Sequence, residues 1–144
     1  DIFSRYNKLI EQENYNIVFE YDENVFINAD PLRISQVMYN LINNAINYCG
    51  EDKTVIVRQK VQNNKVIIEV IDHGDGIAEE EMKYIWDRYY KVDKEHKRAV
   101  IGTGLGLSIV KNILSKYDSD FGVYSKLLKG STFWWSMPIY KEDN

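Results

Sequence analysis

The chain has 144 residues, 44% of them hydrophobic, and a net charge of −4. That is enough apolar material for one domain with its own core, and with no Lys/Arg run forming a basic stripe it excludes nucleic acid as the principal partner. Cys49 is the only cysteine, which excludes an internal disulfide framework and suits a reducing compartment. No apolar run approaches membrane-spanning length, and "DIFSRYNKLI" lacks the charged-then-apolar order of a signal peptide. The chain is expected to lie outside the membrane. A start at Asp1 rather than Met points to a fragment, and is compatible with a membrane anchor in a longer parent.

In chain order, residues 1–13 read as a short helix, and 16–21 and 25–29 as strands on either side of the turn residues Asp22, Glu23 and Asn24. Asp30 followed by Pro31 starts a helix, since Asp caps free amides and Pro fits the first turn. That helix runs to about Tyr48 and stops at Gly50. The β-branched runs 54–61 and 65–71, separated by "QNN", form a hairpin. Helical spacing returns over 79–86 and 105–117, and "DFGVYS" with "STFWWSMPI" supplies two final strands. Without a repeat, a low-complexity tract or a dividing linker, the expectation is a single α+β domain. Its mixed sheet is covered on one face by helices.

The long helix has an unusual composition. At about 100° per residue, Ile34, Val37, Met38, Leu41, Ile42 and Ala45 share an apolar face. Gln36, Asn40, Asn43, Asn44 and Asn47 gather on another. Asparagine is a poor helix former, and a merely solvated face would carry Glu, Lys and Arg. Amides supply neutral oxygens and donors suited to a hydrated cation or a polar ligand; an Asn-rich polar face without a function is the competing reading.

Two glycine-bearing segments add to this. "VIDHGDGI" (70–77) ends a strand at Asp72, and Gly74 and Gly76 then permit a tight turn and close backbone approach. A carboxylate there can accept a hydrogen bond from an amino group such as that of adenine, although Asp and Gly also suit a plain turn. In "GTGLGLSIVKNIL" (102–114), three alternating glycines lead into an amphipathic helix whose first amides can cradle phosphate. Leu107 occupies the final glycine position of the dinucleotide fingerprint, and no Gly-Lys-Ser/Thr loop exists, so Rossmann and P-loop sites are disfavoured.

Taken in order, "NLINNAINY", "DHGDGI", "IWDRYYKVD", "GTGLGLSIV" and "GSTF" resemble the N, G1, F, G2 and final glycine boxes of the ATP-binding catalytic domain of bacterial sensor histidine kinases, in the GHKL superfamily. The resemblance covers about residues 16–138. It implies a two-layer α/β sandwich with a mixed, mostly antiparallel sheet, ATP and Mg²⁺ as ligands, and a lid before the second glycine box. Residue by residue, it makes Asn44 the Mg²⁺ ligand, with Asn40 supporting metal and phosphates. Tyr48 flanks the nucleotide, Asp72 receives the adenine amino group, and Gly74, Gly76 and Ile77 shape that pocket. Gly102, Thr103, Gly104 and Gly106 wrap the phosphates, with Leu105 and Leu107 anchoring the following helix. Arg88 and Lys91 are phosphate contacts, and Ser131 joins Asp72 through a water. Trp86, Tyr89 and Tyr90 pack the lid base or dock a partner domain.

Some positions depart from the pattern. Asn47, counted among the nucleotide contacts, stands where many relatives have Lys. Leu128 replaces the first glycine before "KGSTF", and "YDSD" (117–120) stands where His-Gly-Gly is common. Hydrolytic members of the superfamily use a Glu one turn before the metal-binding Asn; Asn40 occupies that place and cannot act as a carboxylate base. The resemblance therefore implies phosphoryl transfer. His73, in the first glycine box, and His96, in the polar lid, lack the sequence context of a phosphoacceptor. The acceptor histidine is thus expected on a separate dimerisation domain of a cytoplasmic catalytic region whose parent is anchored in the bacterial membrane, with a response regulator downstream. The alternatives are a GHKL serine kinase acting on a partner protein and a degenerate nucleotide-binding or interaction module.

Overall fold

The computed structural model describes residues 13–87 and 106–141. Five strands form one sheet: β1 (Asn16–Glu20), β2 (Thr54–Gln62), β3 (Lys65–Asp72), β4 (Asp120–Lys126) and β5 (Gly130–Pro138), in the spatial order β1-β2-β3-β5-β4. Among the described residues only β1 and β2 run parallel; the other three pairings are antiparallel. Two helices, α1 (Pro31–Tyr48) and α2 (Gly106–Leu114), complete the two-layer sandwich expected from the sequence.

Helix α1 starts as its first residues dictate. The Asp30 side chain accepts from the Leu32 amide at 2.9 Å, and Pro31 occupies the first turn. Its apolar face then buries Val37, Met38, Leu41, Ile42, Ala45 and Ile46 in one core with Val55, Val57, Val70, Phe133, Trp135 and Met137 of the sheet. Val110, Ile113 and Leu114 of α2 join the same core. Each fully buried aliphatic side chain contributes roughly 1.5–3 kcal/mol, so the amide-rich face of α1 is carried by a helix anchored elsewhere on its circumference. The Tyr117 hydroxyl, just past α2, accepts from the Asp30 amide at 3.2 Å and ties the two helices together.

The hairpin between β2 and β3 turns on Asn63 and Asn64, with φ of 54° and 61°. Asparagine tolerates this left-handed region, which a two-residue hairpin loop requires.

Two expected elements take another form. Residues 25–29 make no strand. Their alternation is real, with Val25, Ile27 and Ala29 half-buried against the core; but the segment lies over the core, and the Phe26 carbonyl takes a bond from Tyr140 without a ladder. Over 79–86 the helical spacing resolves into a 3-10 turn at Glu79–Glu81 and further turns, because the backbone bonds join residues three apart, as in Tyr84 to Glu81 and Asp87 to Tyr84. Of the helix expected over residues 1–13, residues 1–12 lie outside the described residues.

The β4–β5 turn carries the Leu128 departure. Leu128 has φ of 66° and is 83% exposed, so its side chain gains little from burial while its backbone is strained. Its amide nevertheless donates to the Asp75 carbonyl at 2.7 Å, docking the turn on the loop after β3. Replacing Leu128 with Gly relieves about 1–2 kcal/mol of left-handed strain, offset in part by the unfolded-state freedom of glycine. Leu128→Gly is expected to raise stability by about 0.5–1 kcal/mol in urea unfolding; a loss of stability would show that the leucine side chain makes a compensating contact.

Candidate nucleotide site

A narrow cleft opens between α1, the end of β3, the start of α2 and β5. Asn44 and Tyr48 line it from α1, Asp72, Gly76 and Ile77 from the β3 end and its loop, Leu107 from α2, and Ser131 from β5. All seven were singled out by the sequence, from segments up to 87 residues apart (Asn44 to Ser131). Asn40, one turn before Asn44, lies beside the first residue of α2: a Cβ added at Gly106 would sit 3.6 Å from the Asn40 Oδ1 atom. The amide ridge thus reaches the helix end where backbone N–H groups are unpaired within the helix.

Asp72 is the last residue of β3 and only 3% exposed. Its Oδ1 accepts from the Gly74 amide at 2.9 Å. Burial pushes its carboxyl up to about 6, against the backbone amides of Gly74 and Ser131 and the His73 imidazole, which pull it down; the Asp52 carboxylate adds a smaller upward push. Gly74 is required by space, since any side chain there would run into the Tyr48 carbonyl at the end of α1. Gly76 is required by conformation as well, with φ of 74°. Burial also raises the Tyr48 hydroxyl above its ordinary value.

Other expected contacts fall differently. Asn47 is buried, 7% exposed, and does not line the cavity among the described residues; close to the C-terminal end of α1 that side of the helix is covered by the fold. Ser131 is buried and pairs across the ladder with Asp72, while its hydroxyl meets Ser125 at 2.7 Å. Trp86 packs edge-on against Phe121 and Phe133, so it supports the cavity wall from behind. His73 holds Asp52 at 2.8 Å through Nδ1, a tie that suits its reading as a turn residue. Arg88, Tyr89, Tyr90, Lys91, His96, Gly102, Thr103, Gly104 and Leu105 lie outside the described residues.

Sequence reasoning missed Ile85 and Phe133 as apolar walls of the cavity, and Ser125 behind Ser131. Ser125 had a readable signal. Phe121 and Val123 alternate toward the core along β4, and Ser125 places a hydroxyl at the next inward position.

The buried carboxyl has a consequence for stability. A folded-state value of about 6 against 3.8 for the ordinary carboxyl means that the native state binds this proton more tightly than the unfolded chain. The contribution of this group is therefore most favourable below pH 4, declines as pH rises through 4 to 6, and at pH 7 its ionised form opposes folding by roughly 2–3 kcal/mol. Asp72→Asn is expected to unfold at higher denaturant than the parent chain at pH 7, with the difference shrinking toward pH 4. A difference independent of pH would contradict the raised value.

Residues 29–141 match the family model described as histidine kinase-, DNA gyrase B-, and HSP90-like ATPase. The signal transduction histidine-protein kinase ArlS of Staphylococcus aureus (strain USA300) is 39% identical over 111 residues, covering 77% of this chain and 25% of that protein. The chain therefore spans about a quarter of the length of the curated relatives it matches. Among solved structures, the nucleotide-free catalytic domain of histidine kinase ThkA superposes with a TM-score of 0.80 at 27% identity, covering 95% of this chain and 87% of that one. Full-length ShkA in complex with AMPPNP shares the fold, with a TM-score of 0.82 at 23% identity over 98% of this chain and 29% of that one. By the family match, supported by the cavity its own motifs enclose, the chain belongs to the histidine kinase-, DNA gyrase B-, and HSP90-like ATPases, as an ATP-binding catalytic domain of the sensor histidine kinase type.

Proposed function

We propose that this domain binds ATP with Mg²⁺ in the cavity between α1 and β5 and donates the γ-phosphoryl group to a histidine on a separate dimerisation domain of its parent kinase, from which a response regulator then takes it. The observation that carries this reading is the convergence of Asn44, Tyr48, Asp72, Gly76, Ile77, Leu107 and Ser131 on one cavity. Among the described residues no helix is long and apolar enough to cross a membrane.

In this reading Asp72 accepts a hydrogen from the adenine amino group, and Ile77, Ile85, Leu107 and Phe133 exclude water from the base. The triphosphate extends toward Asn40 and the first residues of α2, which lie side by side. The donor set suits a hard cation that keeps most of its ligands as phosphate and water oxygens: Asn44 offers a neutral amide oxygen on the cavity wall, and no group of three His, Cys, Asp or Glu side chains gathers among the described residues. Magnesium, when bound by Asn44 with support from Asn40, neutralises charge on the transferred phosphoryl group.

Asn40 decides between transfer and hydrolysis. Its amide cannot take a proton from water, so the general base of a hydrolase is lacking at that position, and the nucleophile has to come from another domain. His73 lies in the turn after β3 and lacks the sequence context of a phosphoacceptor. Acid-labile label on the full-length parent after incubation with ATP would support a phosphohistidine; acid-stable label would point to a serine kinase, and nucleotide binding without any label to an interaction module.

Asn44→Ala is expected to weaken binding of a non-hydrolysable ATP analogue at least about tenfold in magnesium, the scale of a lost contact to a charged group, and to change it little in EDTA. Calorimetric titrations of the domain in the two buffers would check this. Equal losses in both buffers would remove the metal role from Asn44.

A further inference from the structure

Behind the cavity three hydroxyl and backbone groups meet at one atom. The Ser125 Oγ accepts from the Ile77 amide at 2.8 Å, lies 3.0 Å from the Gly130 carbonyl oxygen, and lies 2.7 Å from the Ser131 Oγ. A hydroxyl has a single proton and two lone pairs. If Ser125 gave that proton to Ser131, its oxygen would face the Gly130 carbonyl as an unbridged pair of acceptors. All three contacts are satisfied in one arrangement only: Ile77 N–H to Ser125, Ser125 O–H to the Gly130 carbonyl, and Ser131 O–H to Ser125.

That arrangement fixes the chemistry that Ser131 shows to the cavity it lines. Its proton is committed backwards, so only lone pairs remain for a ligand. Asp72, its partner across the β3–β5 ladder, also presents acceptors when ionised. We infer that Ser125 is a specificity-determining positioning residue: by taking the Ser131 proton it makes the paired groups acceptors, which suits a base bearing an exocyclic amino group, as adenine does, and disfavours one bearing a carbonyl oxygen there, as guanine does. The same oxygen holds the Ile77 amide and so keeps the loop after β3 closed on the β4–β5 hairpin. The inference rests on the nucleotide reading above and adds the residue that sets base preference.

The test compares affinities of the domain for non-hydrolysable ATP and GTP analogues. Ser125→Ala leaves the Ser131 proton without its acceptor and available to a carbonyl ligand, and the ATP-over-GTP ratio is expected to fall about tenfold, the scale of one hydrogen bond to a ligand gained and one repulsion lost. Ser125→Thr keeps the hydroxyl and is expected to restore the ratio. Ser131→Ala decides the question independently should Ser125→Ala not fold, since removing an acceptor weakens the ATP analogue and spares the GTP analogue. Equal weakening of both analogues in Ser125→Ala, which a merely structural role would give, or a larger loss of GTP than of ATP in Ser131→Ala, would overturn the inference while leaving ATP binding intact. A parent domain that does not bind the ATP analogue at all would overturn the nucleotide reading itself and the inference with it.

Discussion

Asp72 sits where β3 leaves the sheet, and its neighbours are arranged to keep a carboxylate almost wholly buried at the edge of the cavity. Burial raises its proton affinity, and the amides of Gly74 and Ser131 restrain that rise. To deliver the Gly74 amide, the chain has to turn within two residues and pass against the Tyr48 carbonyl, which only glycine permits. The same turn brings Gly76 under the β4–β5 hairpin, where a side chain would strike the Lys126 carbonyl. A polar group that opposes folding thus dictates the geometry of the loop, the hairpin and the end of α1 around it. Groups that oppose folding and persist do so where a site uses them.

The remainder of the fold supplies rigidity for that corner. Helix α1 presents its amides because the opposite side of the same helix is locked into the core through Val37, Leu41, Ile42 and Ala45. Asn40 and Asn44 are consequently held one turn apart on an element that cannot roll. Trp86 and Phe133 do the equivalent on the other side, stacking edge to face behind the apolar wall. Among the described residues the cavity is walled by side chains of helices, strands and the loop after β3, with Gly76 the glycine among them.

Much of this was legible in the sequence, for physical reasons that differ by element. Asp30 and Pro31 identify a helix start by local chemistry alone, and the apolar periodicity of α1 identifies its buried face. Asp72, Gly74 and Gly76 are readable because a carboxylate between a strand and two glycines combines burial with tight turning. What stayed illegible depends on distant partners. Residues 25–29 alternate like a strand, yet pairing requires a free sheet edge beside them, which sequence spacing does not reveal. The turns at 79–86 have helical spacing but backbone bonds three residues apart. Asn47 shares the angular position of Asn40 and Asn44, and only the packing near the C-terminal end of α1 buries it. Ser125 gained its meaning from a ladder register that sets it against Ser131 and a loop 48 residues earlier.

The most direct test of the central claim is a crystal structure of this domain with a non-hydrolysable ATP analogue and magnesium. The account predicts the adenine amino group within hydrogen-bond distance of Asp72 and the Asn44 side-chain oxygen directed at the metal. A nucleotide seated instead in the groove between Arg33 of α1 and Lys116 just past α2, with Asp72 remote from the base, would contradict it.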